Sequence, residues 1–223
     1  MSTMRLLDRH LKTALLFVWL AVIAAKLSYD QWRIYESRSE ISTRSVPNWR
    51  TSLSNRVPSV GRADAPIVVM EFFDYQCPFC RELEPRLERF VASHPDIAFY
   101  RFDLPLTDIH PYALPAAIAT RCAGAQGAGT DYGTQIFRQP GIDAINWVEL
   151  ARVSRVPDIK RFASCVNSQQ TIGEVNSDVD KGRSFGITQT PTLIVNGMLA
   201  SGAPSERQLT RLYDEARKGK AIR

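Results

Sequence analysis

The sequence predicts an α/β domain interrupted by an all-helical insertion and preceded by an N-terminal membrane helix. Three observations carry that prediction. Short β-branched and aromatic runs stand at 67–73, 97–104 and 192–195, as buried strands require. Between the second and third runs, apolar residues recur at helical spacing across about residues 108–186. Ahead of everything lies Ala14 to Ala25, an uninterrupted apolar run closed by Lys26.

At the N-terminus Arg5, Arg9 and Lys12 precede the apolar run, with Asp8 the one acid among them. Twelve residues fall short of the roughly 20 that a spanning helix needs and match a signal-peptide core. Leu11, Leu27 and Tyr29 lengthen the stretch, and Lys12 and Lys26 can snorkel toward the two interfaces. Residues 1–28 are therefore read as a membrane anchor, with a signal cleaved after Ala24 or Ala25 as the alternative. Basic residues tie across the segment, with Lys26, Arg33 and Arg38 on the far side; the N-terminal amine places the N-terminus inside and the folded domain outside. Residues 29–57 are polar and read as a spacer, with Trp32, Ile34 and Tyr35 suited to the membrane interface.

The domain is expected over 58–218. Its first strand, Ile67 to Phe73, runs directly into a helix with Cys80, Leu83, Leu87, Phe90 and Val91 on one face and a kink at Pro85. Ile97 to Leu104 is the second strand. In the insert, Tyr112 to Cys122 and Trp147 to Arg152 read as helices, and the Gly-rich stretch 124–133 as a loop. Ile159, Phe162, Ala163 and Val166 mark another helix, with Pro157 in its first turn. Ile172, Val175 and Val179 mark a last one that Gly186 stops. Thr192 to Val195 is a strand, and Asn196-Gly197 signals a hairpin into Met198 and Leu199. The final helix opens with Ser205 and Gln208 in capping-box spacing and buries Leu209, Leu212 and Ala216. Residues 219–223 form a tail.

Composition excludes some classes of function. The formal net charge of +5 comes from scattered Lys and Arg, not from a basic run interleaved with aromatics, which argues against nucleic acid. Gly127, Gly129 and Gly133 have the wrong spacing for a dinucleotide loop and follow a helix, not a strand. Zinc needs four ligands, and Cys122, Cys165, His10, His94 and His110 are not in ligand spacing around the Cys77-Pro78-Phe79-Cys80 pair. No metal and no cofactor are expected.

That pair has chemistry of its own. A cysteine at a strand-to-helix junction lies at the helix N-terminus, where unpaired N–H groups and the helix dipole stabilise a thiolate. Disulfide exchange then proceeds through a mixed disulfide. Cys77 is the exposed nucleophile in this reading, and Cys80, one turn on, resolves the intermediate. A disulfide closing so short a loop is reducible, which suits a redox role better than a staple. Four cysteines allow three pairings, and the residues alone do not choose between them.

The combination Val60-Gly61, Ala65-Pro66, Glu71-Phe72, Asp74-Tyr75-Gln76, Cys77-Pro78-Phe79-Cys80, Leu104-Pro105-Leu106, His110-Pro111, Ala116-Ala117, Cys122, Phe185-Gly186 and Thr190-Pro191-Thr192 resembles the DsbA-like branch of the thioredoxin family. The resemblance covers about residues 58–218 and implies a thioredoxin fold with a helical insert. It implies that Thr190-Pro191 is the cis-proline loop beside the cysteines, presenting backbone to a substrate chain, with Phe79 on the same apolar surface. It also implies that Glu71 is the buried acid beneath the pair, relaying protons to Cys80, with Asp74 as a rival acid or a cap of the turn. Cys122 and Cys165 fall where members of this branch often carry a second disulfide.

The function expected is thiol–disulfide exchange outside the cytoplasm, most readily as a dithiol oxidase acting on exported proteins. A membrane redox partner, either a quinone-linked reoxidase or an electron donor, is implied by the resemblance. Phe79 replaces the histidine of strongly oxidising relatives, so a milder oxidant is expected. Thr190 is common in reducing and isomerising members and keeps a reductase or isomerase open. A non-catalytic chaperone-like module using the surface around Phe79 is the reading from another class.

Overall fold

Ile67–Phe73 (β2) is buried at every position, so a strand of this composition needs cover on both faces and partners on both edges. It has them. In the computed structural model, which describes residues 15, 17–31, 41–54 and 56–219, the sheet order is β1-β5-β4-β2-β3. Ile97–Asp103 (β3) pairs parallel to β2. Thr192–Val195 (β4) pairs antiparallel on its other edge, followed by Met198–Ser201 (β5) and Thr43–Ser45 (β1). The register sets Glu71 between Arg101 of β3 and Leu193 of β4.

Pro78–Ala92 (α1) connects β2 to β3 and buries Cys80, Leu83, Glu84, Leu87, Phe90 and Val91. Pro78 occupies the first turn, where its missing N–H is not needed, and Pro85 lies within the helix. The insert consists of Ala113–Gly124 (α2), Gly129–Arg138 (α3), Trp147–Val153 (α4), Ile159–Val166 (α5) and Gln169–Ser184 (α6). Its core gathers Tyr132, Ile136 and Phe162 with Ala116, Ala119, Cys122 and Ala151. Glu206–Arg217 (α7) closes the domain under a complete Ser205–Gln208 capping box.

Within the domain the structure departs from the sequence expectation at three places. Residues 124–133 are not a loop: α3 begins at Gly129 and buries Tyr132, Ile136 and Phe137. Its glycines serve packing, since a Cβ on Gly129 would lie 2.9 Å from Gly124 Cα. Pro157 precedes the cap of α5 instead of standing in its first turn; Asp158 is the cap and accepts from Arg161 N–H. Finally, the spacer 29–57 belongs partly to the domain. β1 pairs with β5, and Val46 and Trp49 are buried, the latter in a short 3-10 helix, Trp49–Leu53. Trp49 packs on the β4–β5 turn, where Asn196 and Gly197 have positive φ and a Cβ on Gly197 would lie 2.6 Å from the indole nitrogen. A three-residue exposed strand is too short to show a period of two, which is why the pattern missed it.

The chain divides into two units, residues 1–41 and 42–223. In the first, Leu15 and residues 17–31 are helical. Among the described residues no helix is long and apolar enough to cross a membrane, so the spanning helix expected over 1–28 is not supported. Twelve apolar residues rise only about 18 Å against a hydrocarbon core of about 30 Å. Residues 1–14, 16 and 32–40, with the basic flank and Trp32, Ile34 and Tyr35, lie outside the described residues.

Because Trp49 fills the underside of the β4–β5 hairpin, Trp49→Ala is expected to destabilise the domain by about 3 kcal/mol. Chemical denaturation of the two proteins measures the difference.

Candidate active site

β2 ends at Phe73, and the chain turns through Asp74, Tyr75 and Gln76 before α1 starts. Cys77 N–H donates to Asp74 O at 3.1 Å, closing the turn. Cys77 is the N-cap of α1 in an extended conformation, and its side chain makes no capping hydrogen bond. The sulfur thus stands where a serine or aspartate oxygen would, beside the unpaired N–H groups of the first turn. The peptide bond Thr190–Pro191 is cis and leads into β4, and Cys77 Sγ lies 3.3 Å from Thr190 O.

The two sulfurs are both thiols in opposed environments. Donation from the Cys80 thiol is the main cause that pulls Cys77 down to about 5; burial works against it, while Thr190 and the N–H groups of Cys80 and Phe79 reinforce it. Burial pushes Cys80 far up, and its hydrogen bond to Cys77 and the charge of Glu71 add to the rise. Asp74 N–H donates to Cys80 Sγ at 3.5 Å. A nucleophile ionised at neutral pH and a partner kept protonated are the two states that stepwise exchange requires.

Glu71 is fully buried and pushed up to about 7 by burial first, with Arg101 opposing and Glu84 adding to the rise. Arg101 Nε is 3.3 Å from Glu71 Oε2, and Arg101 Nη2 donates to Glu84 Oε2. Burial opposes the Arg101 charge, but Glu71 and Glu84 outweigh it and raise its pKa. Two carboxyl groups therefore share one guanidinium, and the charge of one of them, Glu71, reaches Cys80. The sequence reading missed Arg101 and Glu84. The available signal was a charged residue inside an otherwise apolar strand run, and an acid one helical turn after Cys80.

Asp74 is the cap of the turn: its Oδ1 accepts Gln76 N–H at 2.7 Å. Phe79 is 59% exposed, and Ile109 and Tyr112 are exposed as well. Cys122 and Cys165 are bonded and join α2 to α5. Among the described residues there is no group of three or more His, Cys, Asp or Glu arranged to hold a metal. A cleft of about 550 Å³ is lined by Phe73, Phe99, Arg101 and Arg121 but by neither reactive cysteine. Both cysteines are buried, so Cys77 is not the exposed side chain that the sequence led one to expect: at 4% exposure it is covered by the turn and the Thr190–Pro191 loop packed against it.

A family model described as Thioredoxin matches residues 54–215, and the chain belongs to that family. Its domain is of the DsbA-like, thiol–disulfide oxidoreductase type. Pseudomonas aeruginosa DsbA2 is 30% identical, with a TM-score of 0.58, over 69% of this chain and 90% of that one. A thioredoxin-like oxidoreductase from Silicibacter pomeroyi shares the fold at 24% identity and a TM-score of 0.68, over 76% and 98% of the two chains. The Na(+)/H(+) antiporter NhaA 1 of Salinispora arenicola is 29% identical over 73% of this chain, which spans only 25% of that protein's length.

Two titrations follow. In the reduced protein, thiolate absorbance of Cys77 is expected to appear with a midpoint near pH 5, and its loss in Cys77→Ser assigns the signal. Glu71 has a raised pKa, so its contribution to stability is full below the ordinary carboxylate value and is lost as pH rises through about 7. Glu71→Gln removes that loss. The variant is expected to gain on the order of 2 kcal/mol over the parent between pH 5 and pH 9, in oxidised protein, by urea denaturation.

Proposed function

We propose that this protein exchanges disulfides with exported proteins outside the cytoplasm, acting mainly as a dithiol oxidase through Cys77 and Cys80. A substrate thiolate attacks Cys77 Sγ of the oxidised pair, and Cys80 departs as a thiolate and takes a proton from Glu71. A second substrate thiolate attacks the substrate sulfur of the mixed disulfide, and Cys77 departs as a thiolate. The observation that carries the reading is the setting of Cys77: an N-cap sulfur with several donors and a pKa near 5. Stabilising the leaving thiolate stabilises the reduced form, which makes the disulfide the better oxidant.

Thr190, Pro191 and Phe79 supply the substrate contact in this proposal, and Cys122–Cys165 is a structural bridge stapling the insert. Phe79 in place of a histidine supports a moderate oxidant. Thr190 before the cis-proline favours the second reading, a reductase or isomerase on the same site. Membrane attachment through residues 1–28 and a membrane redox partner complete the proposal; the apolar run 14–25 supports attachment.

The equilibrium reduction potential of the Cys77–Cys80 pair in a glutathione series decides the direction. A value near or above about −180 mV is expected. One near about −270 mV overturns the oxidase reading in favour of the reductase. Cys77→Ser is expected to abolish exchange, and retained function in that variant would mark a binding module instead.

A further inference from the structure

Asp74 does more than close the turn. Its carboxylate is buried and accepts on both oxygens: Oδ1 from Gln76 N–H at 2.7 Å, and Oδ2 from Leu106 N–H at 2.9 Å and from His110 Nδ1 at 2.8 Å. Gln76 Oε1 then accepts Tyr112 N–H at 2.8 Å. Three of these four hydrogen bonds lash the segment leading from β3 into α2 onto the turn that presents Cys77, and the fourth closes the turn itself. The backbone N–H of the same Asp74 donates to Cys80 Sγ.

We infer that Asp74 is a positioning residue for the exchange reaction: by fixing the turn through both carboxylate oxygens, it aims its own N–H at Cys80 Sγ, where charge develops. The inference rests on the exchange reaction proposed above. In the resolving step the Cys80 thiol gives its proton to the Glu71 carboxylate and its sulfur attacks Cys77 Sγ. The Cys77–Cys80 bond forms, the bond from Cys77 to the partner sulfur breaks, and the partner leaves as a thiolate. The reverse step expels Cys80 as a thiolate. In both directions charge passes through a sulfur that is only 1% exposed, so water cannot solvate it and a held N–H must. A carboxylate is required for the holding because it offers two accepting oxygens. An amide offers one, and would turn its NH₂ toward the N–H of either Gln76 or Leu106.

The test is stopped-flow reaction of the reduced full-length protein with 5,5′-dithiobis(2-nitrobenzoate) at pH 7, read by release of thionitrobenzoate. Cys77 attack releases the first equivalent, and Cys80 attack on the resulting mixed disulfide releases the second. Asp74→Asn is expected to leave the first phase within about twofold and to slow the second about tenfold. His110→Gln, which removes one of the four bonds, is expected to slow the second phase about twofold to threefold. Cys80→Ser must lose the second phase; if it does not, the exchange reading itself fails, independently of Asp74. An unchanged second phase in folded Asp74→Asn, or equal slowing of both phases, overturns the role assigned to Asp74. Should Asp74→Asn not fold, His110→Gln decides by the same criteria.

Discussion

The reactive part of this domain depends on a helix that begins at a cysteine. The first-turn N–H groups of any helix lack intrahelical partners, and most helices answer them with a side-chain oxygen. Here the cap position holds Cys77, which makes no such bond, and Pro78 removes one of the unpaired donors. The positive end of α1 is therefore spent on a sulfur. β2 supplies the direction of entry, and the cis Thr190–Pro191 peptide at the head of β4 closes the other side.

From that arrangement comes the asymmetry of the pair. One helical turn separates Cys77 from Cys80, yet their pKa values move in opposite directions. Donors converge on the first sulfur, whereas burial, the hydrogen bond to Cys77 and a neighbouring carboxyl govern the second. The arrangement of Glu71, Arg101 and Glu84 extends the contrast inward. Strand register places Glu71 beside Arg101, and α1 brings Glu84 to the same guanidinium. One cation cannot fully compensate two buried carboxyl groups, so a proton is held close to Cys80 near neutrality.

A second buried ionic cluster ties the insert to the sheet. Asp178 of α6 accepts from Arg56 and Arg121, and its other contact is Asp103 N–H at 3.0 Å. Arg121 of α2 also reaches Asp103 at 2.6 Å. Four segments distant in sequence meet at these groups. Buried ion pairs of this kind contribute little net stability, because desolvation offsets attraction. Their directional bonds do fix how α2 and α6 sit against β3, and hence where the segment entering α2 crosses the active-site turn.

Sequence alone determined the elements whose signal is local. The all-buried strand before the cysteines, the Asn196-Gly197 hairpin, the Ser205–Gln208 capping box and the placement of Cys77 at a helix N-terminus each follow from a few adjacent residues, and the structure has all four. Resemblance added Thr190, Pro191 and Glu71, which lie beside the pair. What required the tertiary structure was whatever depends on distant residues meeting. Arg101 is an ordinary strand arginine until β2 pairs with β3, and Glu84 an ordinary helical acid until α1 packs on the sheet. His110 stands 36 residues from the Asp74 it binds, and β1 is three polar residues until β5 lies beside it. Local periodicity encodes backbone conformation and the burial of a face; the pairing of charges and the edges of a sheet are set only when chain segments far apart are brought within a few ångströms.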